Sequence, residues 1–287
     1  MLHRYHDTAV PKSRPRAAIF RRVYGVPEGF HDQRPVTVRI SVFSTGRARR
    51  KRAARGVRRY FADDWADDTL PVNVFLIEHP DGLCLVDAGQ TSEAASDGYF
   101  PGWYPFFRLA RFELGPRDEA AAQLVAAGYD VTAVRWVVLT HMHTDHVGGV
   151  GAFRDADVIV ARAEWEPAQG LGGRLRGYLP QRWPRELHPR VVDFTGPGVG
   201  PFPGSHDVAG DGRLLFVPLP GHTRGHAALL VRDGAGPSHL CAGDAVLRAA
   251  EFERESPEIA EWCRREHVVI LTCHDDAARH LIGEPSG

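Results

Sequence analysis

Four side chains able to bind a metal fall within six residues of Thr140-His141-Met142-His143-Thr144-Asp145-His146. The segment ends an apolar run that begins at Val134, and it leads into Gly148-Gly149. One histidine in such a place is most often an ordinary polar residue. Four such groups beside a buried strand are costly to pack without a cation, because they lose their water there. In a loop at a strand end, His141 and His143 can point to one side while Asp145 and His146 turn to a neighbouring position. Three single residues share this placement. His222 follows the run from Leu214 to Gly221, Asp244 follows Leu240-Cys241-Ala242-Gly243, and His274 follows the run from Val268 to Cys273. Each repeats one device: a strand, a small residue or tight turn, then a ligand-type side chain. Imidazoles and carboxylates together suit zinc, with iron, manganese or cobalt as alternatives. Such a cation lowers the pKa of bound water to about 7 and polarises a carbonyl, which is hydrolytic chemistry.

The elements that must position these groups alternate along the chain. Strands are expected at Val36 to Phe43, Val72 to Ile77, Leu83 to Val86, Val134 to Thr140, Val158 to Val160, Leu214 to Val217, Ala227 to Val231, Ser238 to Cys241 and Val268 to Leu271. Asp81-Gly82 and Asp233-Gly234 are hairpin signals. A helix is expected from Arg117 to Ala127, stopped by Gly128, and another opens at Ser256-Pro257. The basic run Arg47 to Arg59 with Asp63 to Asp68 reads as a solvated loop or helix whose charges partly cancel. Residues 170–212 read as one long loop, and Tyr99 to Phe112 as an aromatic-rich stretch without a strand period. The pattern implies a layered α/β or α+β fold.

The seven ligand-type residues, taken with Leu85-Val86-Asp87-Ala88-Gly89 and Gly221-His222-Thr223-Arg224-Gly225-His226, resemble the metallo-β-lactamase fold superfamily. The resemblance spans roughly Val36 to His280. It implies a four-layer αββα sandwich of two mixed β-sheets flanked by helices, and two divalent metal ions, zinc first among the candidates. By the same resemblance His141, His143 and His222 bind one metal, Asp145, His146 and His274 bind the second, and Asp244 bridges them. Asp145 and Asp244 are the catalytic candidates, with a hydroxide held between the metals as nucleophile. Asp87 supports the site from behind the ligands, and His226 matches a family histidine that is not a ligand. Domain limits follow as an N-terminal extension (1–35), one hydrolase domain (36–280) and a C-terminal tail (281–287).

Within the superfamily, the order of elements is most similar to the N-acyl homoserine lactone lactonases, the quorum-quenching enzymes. Zinc β-lactamases lack this bridging aspartate, and glyoxalase II-like thioesterases carry a helical domain where only 13 residues follow His274. The resemblance therefore implies opening of a lactone, first an N-acyl homoserine lactone, with another ester, thioester or lactone as the alternative. A non-catalytic metal-binding module is a third reading. Several such lactonases place a tyrosine three residues after the bridging aspartate; here Leu247 stands there. Candidate pocket walls are Trp103, Tyr104, Phe106, Phe107, Tyr178, Trp183 and Leu247. A homodimer is a candidate assembly.

Composition excludes other classes. The 287 residues are 43% hydrophobic and 25% charged, ordinary for a globular chain, and the net charge of −1 gives no footing for nucleic acid. No apolar run is long enough to span a membrane. Four cysteines form no CxxC pair, and the N-terminus shows no secretory signal, so a reducing cytoplasm is expected.

Overall fold

The strand Arg39–Arg50 (β1) opens the described part of the chain and pairs antiparallel with Leu70–His79 (β2), which turns through Asp81 into Gly82–Val86 (β3). The computed structural model describes residues 38–52, 61, 63–103, 108–234 and 237–282. The expected N-terminal extension (1–35), the residues of the tail from 283 onward, Arg55, Arg58, Arg59, Tyr104, Phe106 and Phe107 lie outside the described residues. Ala110–Glu113 (β4) pairs with the far end of β1. Val134–Leu139 (β5), Asp157–Ala161 (β6) and Arg190–Val192 (β7) extend the sheet in parallel beyond β3. This gives seven strands in the order β4-β1-β2-β3-β5-β6-β7. A second sheet is built from His206–Asp207 (β8), Leu214–Pro218 (β9), Ala227–Val231 (β10), Ser238–Cys241 (β11) and Val268–Leu271 (β12), in the order β12-β11-β10-β9-β8. Its β11–β12 pair is parallel and the rest antiparallel.

Alternation along the strands makes three packed layers. Phe75 and Ile77 of β2, Trp136 and Val138 of β5, and Phe216 and Leu229 of the second sheet fill the space between the sheets. The residues between them face outward: Val74, Leu76, Val137 and Leu139 pack with Leu124 of the helix Ala120–Ala126 (α1). On the other side Val217 and Leu230 pack with Phe252 and with Ala260 and Trp262 of the helix Pro257–Arg265. Strands buried on both faces read as continuous apolar runs, which is why β2, β5 and β10 stand out in the sequence. Helix, sheet, sheet, helix is the expected sandwich. Among the described residues no helix is long and apolar enough to cross a membrane.

Several elements differ from expectation. The basic segment is not a loop at its start: Arg47 to Arg50 continue β1, paired with β4. Their guanidinium groups meet acids, Arg47 on Asp276 at 2.9 Å and Arg49 on Glu113 at 2.7 Å, so strand pairing and charge neutralisation coexist. The helix expected from Arg117 breaks at Glu119, which is extended. Its carboxylate is drawn aside to accept from the N–H and hydroxyl of Ser92, at 2.7 and 2.6 Å. The long loop at 170–212 contains the short helix Gly170–Arg174 as well as β7 and β8. The aromatic stretch ends in β4, with Phe100 stacked on Phe112 at 5.9 Å.

Candidate functional site

Every ligand-type residue lies just beyond the carboxyl end of a strand. Asp87 follows β3, the His141–His146 segment follows β5, His222 follows β9, Asp244 follows β11 and His274 follows β12. Parallel pairing of β3 with β5 and of β11 with β12 puts these ends on the same edge of their sheets. Backbone bonds hold the edges together. Ala227 N–H donates to the Thr140 carbonyl at 2.9 Å, Asn73 N–H to Cys273 at 2.9 Å, and Cys273 N–H to Gly243 at 3.1 Å. Gly243 has φ +51, and a Cβ there would sit 2.6 Å from Thr140 Oγ1 and 2.8 Å from His226 Nε2. Only glycine lets the Asp244 turn come this close.

Three imidazoles converge on one side. His143 Nδ1 is 3.1 Å from His141 Nε2 and 2.9 Å from His222 Nε2. On the other side His146 Nε2 is 3.2 Å from Asp244 Oδ1 and 3.9 Å from Asp145 Oδ2. His274 Nε2 is 3.3 Å from Asp244 Oδ2 and 3.6 Å from Asp145 Oδ2. Asp244 also approaches His222, at 3.6 Å, and so lies between the two groups.

Partners behind the rings fix which nitrogen faces inward. The Pro71 carbonyl accepts from His274 Nδ1–H at 2.7 Å, leaving Nε2 as the inward nitrogen. Asp87 accepts from His146 Nδ1–H at 2.8 Å and from the Thr140 N–H at 2.8 Å. The Thr140 hydroxyl donates to Asp87 as well, so its free lone pair accepts from His141 Nδ1–H at 3.2 Å. Asp87 does this from the left-handed region, φ 59, which short polar residues tolerate best. His226 has both ring nitrogens engaged: Nδ1 donates to the Leu219 carbonyl and Nε2 accepts from Asp244 N–H.

Charge divides the cluster. Burial, reinforced by neighbouring imidazoles, holds His141 well below the ordinary histidine range and pushes His143 down to about 3. Burial alone lowers His146 and His274 too, but carboxylates outweigh it. Asp244, Asp87 and Asp145 hold His146 well above its ordinary value, and Asp244 and Asp145 raise His274 to about 9. Burial works against ionisation of Asp244, yet His274 and His146 keep it well below the usual carboxylate range. His226, dominated by burial, falls to about 4.

The donors fit divalent cations. Nε2 of His146 and Oδ1 of Asp244 are buried and face each other at 3.2 Å, with no hydrogen bond to any other group. Donor atoms of His141, His143 and His222 lie within 4.8 Å of one another, as do those of Asp145, His146 and His274, and those of His141, His146 and Asp244. Asp87, His146 and Cys273 also cluster, but Asp87 is spent on Thr140 and His146 and burial keeps the Cys273 thiol protonated.

A cleft of about 340 Å³ opens beside His143 and His222 and is lined also by Glu164, Arg176, Tyr178 and Arg224. Of the candidate walls, Tyr178 lines it, its ring 5.1 Å from His143. Trp183 stacks on Trp165 at 5.3 Å and Trp103 is exposed; neither lines this cleft. Leu247 is tied through its backbone to Glu251 and Thr272. Glu164 and Thr140 are the polar residues that sequence reasoning passed over. Their partners lie 22, 53 and 59 positions away, so no local spacing reveals them.

The family model for the metallo-beta-lactamase superfamily matches residues 67–274. The N-acyl homoserine lactonases AttM of Rhizobium johnstonii and Agrobacterium fabrum are 33% and 34% identical over 241 residues, 74% of this chain and 85% of each relative. An N-acyl homoserine lactone hydrolase solved with N-hexanoyl-L-homoserine at its catalytic metal centre superposes with a TM-score of 0.65 at 21% identity, covering 85% of this chain and 96% of that one. AidC, described as a dizinc quorum-quenching lactonase, gives 0.54 at 15% identity over 86% of this chain and 90% of its own. With its motifs gathered at one sheet edge and most of its length matched, this chain belongs to the metallo-β-lactamase superfamily.

Proposed function

We propose that this protein is a dinuclear metal-dependent hydrolase that opens the ring of an N-acyl homoserine lactone. The observation that carries the reading is the convergence of two clusters of inward-facing donors, with His146 Nε2 and Asp244 Oδ1 facing each other at 3.2 Å between them. His141, His143 and His222 would hold one cation, Asp145, His146 and His274 the other, and Asp244 would reach both. When bound, two divalent cations supply polarisation of a carbonyl and a hydroxide at neutral pH. The chain's own residues do the rest. Asp87, the Thr140 hydroxyl and the Pro71 carbonyl fix ring orientation, and such partners make imidazoles better ligands. Asp145 Oδ2, between His146 and His274, would take the proton of the attacking water and hand it to the ring oxygen as the C–O bond breaks. The cleft beside His143 gives the acyl group a place to lie, with Tyr178 as one wall.

The substrate class rests on the lactonase relatives, and zinc on the donor chemistry and the dizinc relative. Four free, buried cysteines accord with a reducing cytoplasm. The deciding experiment is hydrolysis of homoserine lactones from butanoyl to dodecanoyl, followed by proton release, with protein of quantified metal content. Turnover abolished by a chelator and restored by zinc or cobalt supports the reading. Two metals per chain with no lactone turnover shifts the substrate to another ester, thioester or lactone and points to Leu247 as the reason. No metal uptake overturns the dinuclear reading.

A further inference from the structure

Glu164 is 1% exposed, at the start of the helix Arg162–Ala168. Its Oε1 accepts from the Met142 N–H at 2.9 Å, and its Oε2 accepts from the Thr223 hydroxyl at 2.6 Å. The Tyr178 phenol lies close enough to feel the same carboxylate, which with burial holds it protonated. These three neighbours are not scattered. Met142 lies between His141 and His143, Thr223 follows His222, and the Tyr178 ring packs on His143. A buried carboxylate costs several kcal/mol unless donors surround it. Here every donor comes from a segment carrying or touching one of the same three imidazoles. The loop after His222 is also pressed onto this spot. A Cβ at Gly225 would lie 2.1 Å from the Glu164 backbone nitrogen and 2.2 Å from the Ala163 carbonyl carbon.

We infer that Glu164 is a positioning residue for the His141, His143 and His222 cluster, binding its two loops through one buried carboxylate. Its hydrogen bonds go to the loops that carry the rings. It sets the distance between the loops that hold them, and so the 2.9–3.1 Å convergence of their nitrogens. His146, Asp145 and His274 are held by other partners, Asp87 and Pro71 among them. The effect of losing Glu164 is therefore confined to one of the two donor sets.

This rests on the reading that the two donor sets take metal, and the test separates the two ideas. Zinc affinity of each equivalent is measured by competition with a chromophoric chelator in the wild-type protein, Glu164→Ala and Glu164→Gln, and cobalt(II) absorption is recorded alongside. The same pair is compared in a His274→Ala background, where the His141 set alone remains. Glu164→Ala should weaken one equivalent by about 10–100-fold, the size usual for partners of metal ligands, and leave the other within about threefold. Glu164→Gln keeps one acceptor and should recover most of that loss, and the cobalt spectrum should follow the affinity. Should Glu164→Ala fail to fold, Thr223→Val removes one of its bonds and should weaken the same equivalent by a smaller factor. Two wild-type equivalents that persist with unchanged affinity in Glu164→Ala, or in Thr223→Val, overturn the role while sparing the metal reading. A wild-type protein that takes no metal overturns both.

Discussion

Metal loading of the two donor sets should respond differently to pH, and the size of the difference follows from the charges around them. In the metal-free protein His141 and His143 are neutral at pH 7, the latter with a value of about 3. His274, at about 9, is protonated by roughly a hundred to one at that pH, and His146 is held up in the same direction. A cation entering the second set must displace the proton of His274, because Nε2 is its inward atom. Its affinity should therefore rise about tenfold from pH 7 to pH 8 for that proton, and His146, held up in the same direction, acts in the same sense. His141 and His143 contribute no such slope above about pH 5. The first equivalent of zinc should then enter the His141 set. Calorimetric titration of metal-free protein in two buffers of different ionisation enthalpy reads the protons directly: more should leave with the second equivalent than with the first, His274 supplying about one. Equal release on both equivalents would refute the reasoning.

Stability carries the same signature. The rise of His274 from about 6.5 to about 9 corresponds to about 3 kcal/mol, because one pKa unit is about 1.4 kcal/mol. That contribution to the metal-free fold is complete below the unfolded value near 6.5 and disappears as pH climbs to about 9. Metal-free protein should melt lower at pH 9 than at pH 6.5, and zinc-loaded protein should not show that fall.

Asp87→Ala should leave the Thr140 N–H and His146 Nδ1 without their partner and weaken the second metal equivalent by about 10–100-fold, read by chelator competition. Gly243→Ala should cost about 1–3 kcal/mol in denaturant unfolding, from its left-handed backbone and the 2.6 Å approach to Thr140 Oγ1; a stability equal to wild type would show that the turn yields. All four cysteines are buried, and burial pushes Cys263 up to about 12, so a thiol reagent at pH 8 should label them only as the chain unfolds; rapid labelling of the native protein would contradict this packing. Tyr178→Ala should change the preference for acyl-chain length across the lactone series, and an unchanged preference would remove Tyr178 from the acyl wall.

What was legible in the sequence and what was not divides along one physical line. β2, β5 and β10 are buried on both faces, so each stands out as a mostly apolar run, and the metal-ligand candidates come soon after β5, β9, β11 and β12. Elements decided by distant partners were misread. Arg47 to Arg50 form strand because β4 lies alongside, and the helix after Arg117 breaks because Glu119 is taken by Ser92. The same holds inside the site. Four inward donors fall within six consecutive positions and the other three after strand ends, a pattern local spacing can display. The residues that aim them, Thr140 on Asp87 and Glu164 on Met142 and Thr223, act across 22 to 59 positions. A cation tolerates few errors in the direction of its donors, so the orienting contacts matter as much as the donors themselves. Donor identity is therefore a property of short segments here, whereas donor geometry belongs to the closure of the two sheets at one edge.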